Sequence, residues 1–130
     1  MTTLVCWVAY DDNKPASIYL ASDSRLSWNE KNFWNNGRKI FYSKKYPDIL
    51  GYCGDVLFCS QVISQVISYI DECKVFEGIV DSKVKIAIIK KTIIEALSEY
   101  PLNFSFGIFE ILYITREEKY NFKIYSMKWD

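Results

Sequence analysis

Residues 3–10 read TLVCWVAY, residues 11–15 DDNKP and residues 17–22 SIYLAS. The first run is β-branched and aromatic and apolar on both alternating faces, which predicts a strand buried on two sides. Asx side chains and proline favour chain reversal, so the third run predicts the return arm of a hairpin. Outward from there, residues 27–37 (SWNEKNFWNNG) are expected to form a long asparagine-rich loop anchored by Trp28, Phe33 and Trp34. Two short strands follow, Arg38 to Ser43 and Asp48 to Cys53, separated by Lys44-Lys45-Tyr46-Pro47. Asp55 is placed to cap a helix over about 56–74, whose apolar stripe is Cys59, Val62, Ile63, Val66, Ile67 and Ile70. A second helix is expected from Asp81-Ser82 to just before Pro101, with Ile86, Ile89, Ile93, Leu97 and Tyr100 as its stripe. Residues 104–115 and 120–129 read as two further strands around the charged turn Arg116-Glu117-Glu118-Lys119. The order is strands, then two helices, then strands, an α+β chain.

Half of the 130 residues are hydrophobic and 17% are aromatic. That composition supports one packed domain over 1–130 and excludes a disordered chain. Lys plus Arg total 16 and Asp plus Glu total 16, so the basic excess that phosphate neutralisation demands is missing and no nucleic-acid partner is expected. No run approaches the roughly 18 apolar residues of a membrane span. The start, Met-Thr-Thr-Leu-Val, has no basic segment before its apolar residues. The expectation is a cytoplasmic chain without a membrane partner.

There is no histidine, which removes Ser-His-Asp and Cys-His catalysis and the histidine-containing zinc and iron sites. The remaining group that titrates near neutrality with least tuning is the α-amine, at about 7.7–8.0. Cys6, Cys53, Cys59 and Cys73 contain no C-x-x-C pair, so no metal and no cofactor is expected and the thiols read as reduced and mostly buried. Two helices on one face of a doubly apolar sheet leave its other face uncovered, which predicts a missing helical layer or a partner surface.

The beginning of the chain carries the chemistry. Removal of Met1, which the small Thr2 permits, would place a hydroxyl nucleophile and an α-amine on one residue. That amine, directly or through a water, can accept the hydroxyl proton during acyl transfer. For an isolated Met-Thr start, the plainer reading is a threonine that begins a strand. The neighbours weigh against it: Thr2-Thr3-Leu4-Val5, a hairpin, Ala21-Ser22-Asp23-Ser24-Arg25, Gly37-Arg38-Lys39-Ile40, Leu50-Gly51-Tyr52-Cys53-Gly54, then a helix. This succession resembles the proteasome β-subunit family and the peptidase subunit of the bacterial ATP-dependent two-component protease, both N-terminal-nucleophile hydrolases.

The resemblance implies a four-layer αββα sandwich, here expected to lack its C-terminal helices and strands. It implies Thr2 as nucleophile and base, Asp23 as the acid beside a buried lysine, Lys39 as that lysine, and Gly54 as the oxyanion-hole N–H. Arg25 matches a residue of structural support. Leu26, Gly37 and Cys53 fall near the substrate side-chain pocket, and none is charged. Outside the resemblance each residue has a plain alternative: Asp23 in a turn ion pair, Lys39 solvated, Gly54 ending a strand, Cys53 structural. Asp55 follows Gly54 where the family typically has a small residue. The family further implies a threonine-type endopeptidase acting on peptides or unfolded proteins, a homo-oligomeric ring and an ATPase unfoldase. A catalytically silent subunit of the same fold is the alternative.

Overall fold

The computed structural model describes residues 3–101 and 107–129. Leu4–Asp11 (β1) and Lys14–Ser22 (β2) pair antiparallel with Asp11 opposite Lys14. The two residues between them, Asp12 and Asn13, both lie at positive φ, 48° and 64°. A tight two-residue hairpin turn needs that left-handed backbone, and Asp and Asn tolerate it better than most residues. Leu26–Ser27 (β3) and Phe33–Trp34 (β4) then make a short ribbon. Ile40–Tyr42 (β5), Asp48–Gly54 (β6), Phe109–Glu118 (β7) and Asn121–Trp129 (β8) form one antiparallel sheet in the order β5-β6-β7-β8. Val56–Glu72 (α1) and Ser82–Glu99 (α2) stand between β6 and β7 in the chain. The protein is α+β, with two helices and antiparallel sheets among the described residues.

The helices cover one face of this sheet. Asp55 caps α1, its Oδ1 accepting the Phe58 N–H at 2.9 Å, a contact typically worth about 1 kcal/mol. The apolar stripe behind that cap, Phe58, Cys59, Val62, Ile63, Val66 and Ile70, is buried against Leu50, Tyr52, Ile111 and Tyr113. Ile89 and Ile93 of α2 join the same core. At one end Phe58 packs edge-on against Tyr100 and tilted against Phe109, which in turn stacks on Trp129 at 4.9 Å. Burying each such ring stabilises by roughly 1.5–3 kcal/mol.

The opposite face of the sheet receives the hairpin. A Cβ on Gly51 would come within 2.9 Å of Leu20 Cδ2 and 3.2 Å of Leu4 Cδ1, so the inward side chains of β1 and β2 rest on bare backbone there. The chain therefore forms three layers: helices, four-stranded sheet, hairpin.

Four expectations need correction. The strand over 3–10 is not buried on both sides: Val5, Trp7 and Tyr19 are 49%, 48% and 47% exposed on the outer face, where Trp7 and Tyr19 stack at 5.4 Å. The alternation of β1 is thus inward Leu4, Cys6 and Val8 against open Val5 and Trp7. Residues 27–37 are not a plain loop but contain the ribbon, and Trp28, Phe33 and Trp34 do not anchor it, being 61%, 52% and 52% exposed. The strand expected over 104–115 begins at Phe109 and runs to Glu118, so the reversal falls on Lys119-Tyr120 rather than on the charged quartet; residues 104–106 lie outside the described residues. Finally, the thiols are not mostly buried: Cys59 is buried, Cys6 and Cys53 are half-buried and Cys73 is exposed.

Candidate active site

The beginning of β1, the end of β2 and the approach to β5 meet at Asp23. Its backbone N–H donates to the Thr3 carbonyl at 3.3 Å, and Thr3 N–H donates back to Asp23 Oδ1 at 3.1 Å. The same Oδ1 accepts from Lys39 Nζ at 3.0 Å. Lys39 is held in place by its own backbone, since Tyr52 N–H donates to its carbonyl at 3.1 Å and ties it to β6. Its side chain has no solvent exposure, whereas that of Asp23 is 36% exposed. A buried ammonium is therefore set beside a carboxylate that still faces water.

The charges answer one another. Partial burial pushes the Asp23 carboxyl up, but the Lys39 hydrogen bond, the Thr3 N–H, the Lys39 charge and the Arg25 N–H outweigh it and hold the group below the usual carboxylate range. Asp23 is thus an anion throughout the neutral range. Thr3, one residue along from Thr2, is fixed to this carboxylate by its main chain. Thr2 lies outside the described residues.

Gly54 closes β6 with φ +101°, and a Cβ there would stand 2.2 Å from the Ile108 carbonyl oxygen. Only glycine combines that backbone with that approach. Asp55, beside it, uses both carboxylate oxygens on main chain: Oδ1 on Phe58 N–H and Oδ2 on Gly107 N–H at 3.1 Å. Its charge is thereby committed to the start of α1 and the approach to β7.

Leu26 is buried and lies directly on Gly37, where an added Cβ would meet its Cγ at 2.2 Å. Arg25 donates from Nε to Asn35 Oδ1 at 2.9 Å, with its guanidinium 4.3 Å from the Phe33 ring centre. Cys53 is half-buried near the end of β6. Burial and the Glu110 charge push its thiol up, partly offset by the Glu110 N–H and the charges of Lys39 and Lys128. That direction argues against a thiolate nucleophile.

The structure thus brings Asp23 and Lys39 together, sets Leu26 on Gly37, and places Gly54 two residues beyond Tyr52, at the end of β6 to which Lys39 is tied. What sequence reading missed is the part played by Thr3, whose two main-chain bonds to Asp23 carry no side-chain signature. A cavity of about 390 Å³ lined by Ile18, Ile49, Ile114, Arg116 and Phe122 opens between hairpin and sheet, but neither member of the ion pair lines it. No helix among the described residues is long and apolar enough to cross a membrane. No protein-family model, no curated protein and no solved structure matches the chain.

Proposed function

We propose that this chain is an amide hydrolase of the N-terminal-nucleophile type, with Thr2 as nucleophile once Met1 is removed and an αββα-related sandwich as its scaffold. The observation that supports the reading is the Asp23–Lys39 pair at 3.0 Å, whose carboxylate also accepts the N–H of Thr3, the residue next to Thr2. A buried cation beside a hydroxyl favours its alkoxide form, and the neighbouring carboxylate keeps that cation charged.

In this mechanism the Thr2 hydroxyl adds to the substrate carbonyl as the α-amine takes its proton. The C–N bond of the tetrahedral intermediate then breaks, and the proton passes from the α-ammonium to the leaving amine. Water, deprotonated by the same amine, hydrolyses the resulting ester and restores Thr2. Peptides or unfolded polypeptides in a ring assembly fed by an ATPase are the substrates and partners this reading carries with it.

The test is intact mass before and after exposure to an electrophile that reacts jointly with a hydroxyl and a free α-amine. Loss of Met1 and one adduct, absent in Thr2→Ala, is the expected result. Retained Met1, or a free Thr2 that stays unlabelled, would replace this reading with a catalytically silent subunit. One feature favours that second reading: Leu26 fills the space over Gly37, where the resemblance would put a substrate side chain.

A further inference from the structure

The hairpin is seated on the sheet where Leu4 and Leu20 meet the bare backbone of Gly51. At the next row of the same sheet face, Ile49 with its partner Ile114, the two layers are separated by the cavity of about 390 Å³. On the hairpin side it is lined by Ile18 and by Ala16, the extra residue of a bulge, since Ala9 pairs with Ser17 and Tyr10 with Pro15. Such a bulge bends a strand pair and is common beside binding sites. Asp48 and Thr115 also border the cavity, but their side chains are taken by Lys85 on the helix side of the sheet. The charge on the hairpin side comes from Arg116, whose guanidinium carbon lies 5.7 Å from the centre of the Phe122 ring and whose N–H donates to the Pro47 carbonyl at 3.3 Å. Among the described residues no carboxylate forms an ion pair with it. In the neighbouring cleft that Arg116 also borders, Lys14 and Lys119 are matched by Asp11 and Asp12, which leaves Arg116 as the surplus cation.

We propose that this cavity is a binding site for a small amphiphilic carboxylate, a free acid whose apolar body lies between Ile18, Ile49 and Ile114 and whose carboxylate meets the Arg116 guanidinium. Apolar walls with one placed polar group are the make-up of a small-molecule site. An unfilled gap between such walls forfeits the packing contacts that an apolar occupant would restore. At about 30 Å³ for a water-sized group the space admits on the order of a dozen non-hydrogen atoms. The planar guanidinium suits a carboxylate, which it can bond through two parallel N–H groups. A neutral hydrophobe would leave that cation unanswered, and a cationic one would meet it as a like charge. Neither Asp23 nor Lys39 lines the cavity, so the proposal stands apart from the amide-hydrolase reading.

The experiment is NMR of the full chain with labelled isoleucine methyl groups, titrated with decanoate below its aggregation concentration, beside decan-1-ol and decyltrimethylammonium. Decanoate is expected to shift the Ile18, Ile49 and Ile114 methyl signals saturably and to bind more tightly than the alcohol, with the ammonium weakest. Arg116→Gln should weaken decanoate by about tenfold or more and leave the alcohol as it was, because a hydrogen bond to a charged group is lost. The fold should survive, since Arg116 is exposed and its N–H to Pro47 is kept. Lys119→Gln removes the same charge outside the cavity and should leave decanoate binding unchanged. Failure of decanoate to move the three methyl signals overturns the proposal. So does an unchanged decanoate affinity in Arg116→Gln, an equal loss in Lys119→Gln, or a decyltrimethylammonium affinity equal to that of decanoate. Shifts of the same methyl groups with protein concentration alone would make a second copy of the chain the occupant and overturn it too.

Discussion

Lys39 and Asp23, sixteen positions apart in the chain, meet at 3.0 Å with the ammonium wholly buried and the carboxylate 36% exposed. That asymmetry makes the two halves of the pair unequal. Removing Asp23 strips a buried cation of its nearest counter-charge, whereas removing Lys39 leaves a carboxylate that still has water and the Thr3 N–H. Asp23→Ala is therefore expected to destabilise by about 1–3 kcal/mol, less than a fully buried pair would because water reaches one partner. Lys39→Met should destabilise less. Urea unfolding of both variants checks the order, and equal losses would contradict it. On turnover of an amide substrate the order should reverse in kind: Lys39→Ala loses on the order of a hundredfold or more while staying folded.

The same pair sets an acid limit. The Asp23 carboxyl is held below its ordinary value, so its folded form binds its proton less readily than the unfolded chain does. The stability it contributes is fully present above the unfolded value of about 3.9 and is lost as pH falls through the lower folded value. Thermal melts should show no contribution from Asp23 titration between pH 5 and 8 and a declining Tm below about pH 4. In Asp23→Asn that acid decline should be shallower than in the parent chain. Parallel curves would remove Asp23 from the account.

Much of this architecture was legible in the sequence, and the gaps have physical causes. The helices were readable because a cap at Asp55 and a 3,4-spaced apolar stripe agree, and both Asp55 and Asp81 do cap. The ribbon of β3 and β4 was not readable, because two-residue strands carry no periodicity and Trp28, Phe33 and Trp34 look the same in sequence whether they anchor or project. An uncovered apolar sheet face is expected from the sequence, but not its place on the outer side of the β1–β2 hairpin, because an apolar residue states a preference for burial, not the presence of a covering layer. At the site, the contact between Asp23 and Lys39 follows from the resemblance and not from residue types, which alone allow a turn ion pair and a solvated lysine, while the main-chain bonds of Thr3 had no residue signature to read.

Lys85 shows the opposite failure, a charge at a core position. It stands on α2 at the same four-residue spacing as Ile89 and Ile93 and is almost wholly buried. Its Nζ lies 3.5 Å from both carboxylate oxygens of Asp48, 3.4 Å from Thr115 Oγ1 and 5.2 Å from the centre of the Phe76 ring. Asp48 also accepts from the Tyr113 hydroxyl, and burial together with the Asp48 charge pushes that phenol well above its usual range. Lys85→Met should therefore cost about 3–5 kcal/mol by leaving a buried carboxylate without its cation. The double variant Lys85→Met/Asp48→Leu should regain a large part of that loss. A double variant no more stable than Lys85→Met would show that the pair is worth more than the desolvation it suffers.

Tyr52 supplies a substitution expected to cost nothing. It is completely buried, and its hydroxyl has no hydrogen-bond partner among the described residues. Burial, with the Cys59 and Asp55 charges, pushes the phenol up to about 12. An unpaired buried hydroxyl carries its desolvation penalty with no return. Tyr52→Phe should thus be neutral or stabilising by up to about 1 kcal/mol, read as an unchanged or higher urea midpoint. A clear loss of stability would show that the hydroxyl has a partner in the folded protein.

Gly54 separates two explanations of one residue. The resemblance gives its N–H a part in catalysis, but the backbone needs glycine there for a different reason: φ is +101°, and the Ile108 carbonyl oxygen occupies the space a Cβ would take. Strain of this kind costs of order 1–3 kcal/mol before the clash is counted. Gly54→Ala should accordingly lower stability by about 3 kcal/mol or more and disturb the pairing of β6 with β7 at Phe109. Loss of activity in that variant would then report on the strand, not on an oxyanion. The decisive measurement is its unfolding curve: a variant as stable as the parent would remove the steric account, and only then would its activity bear on the N–H itself.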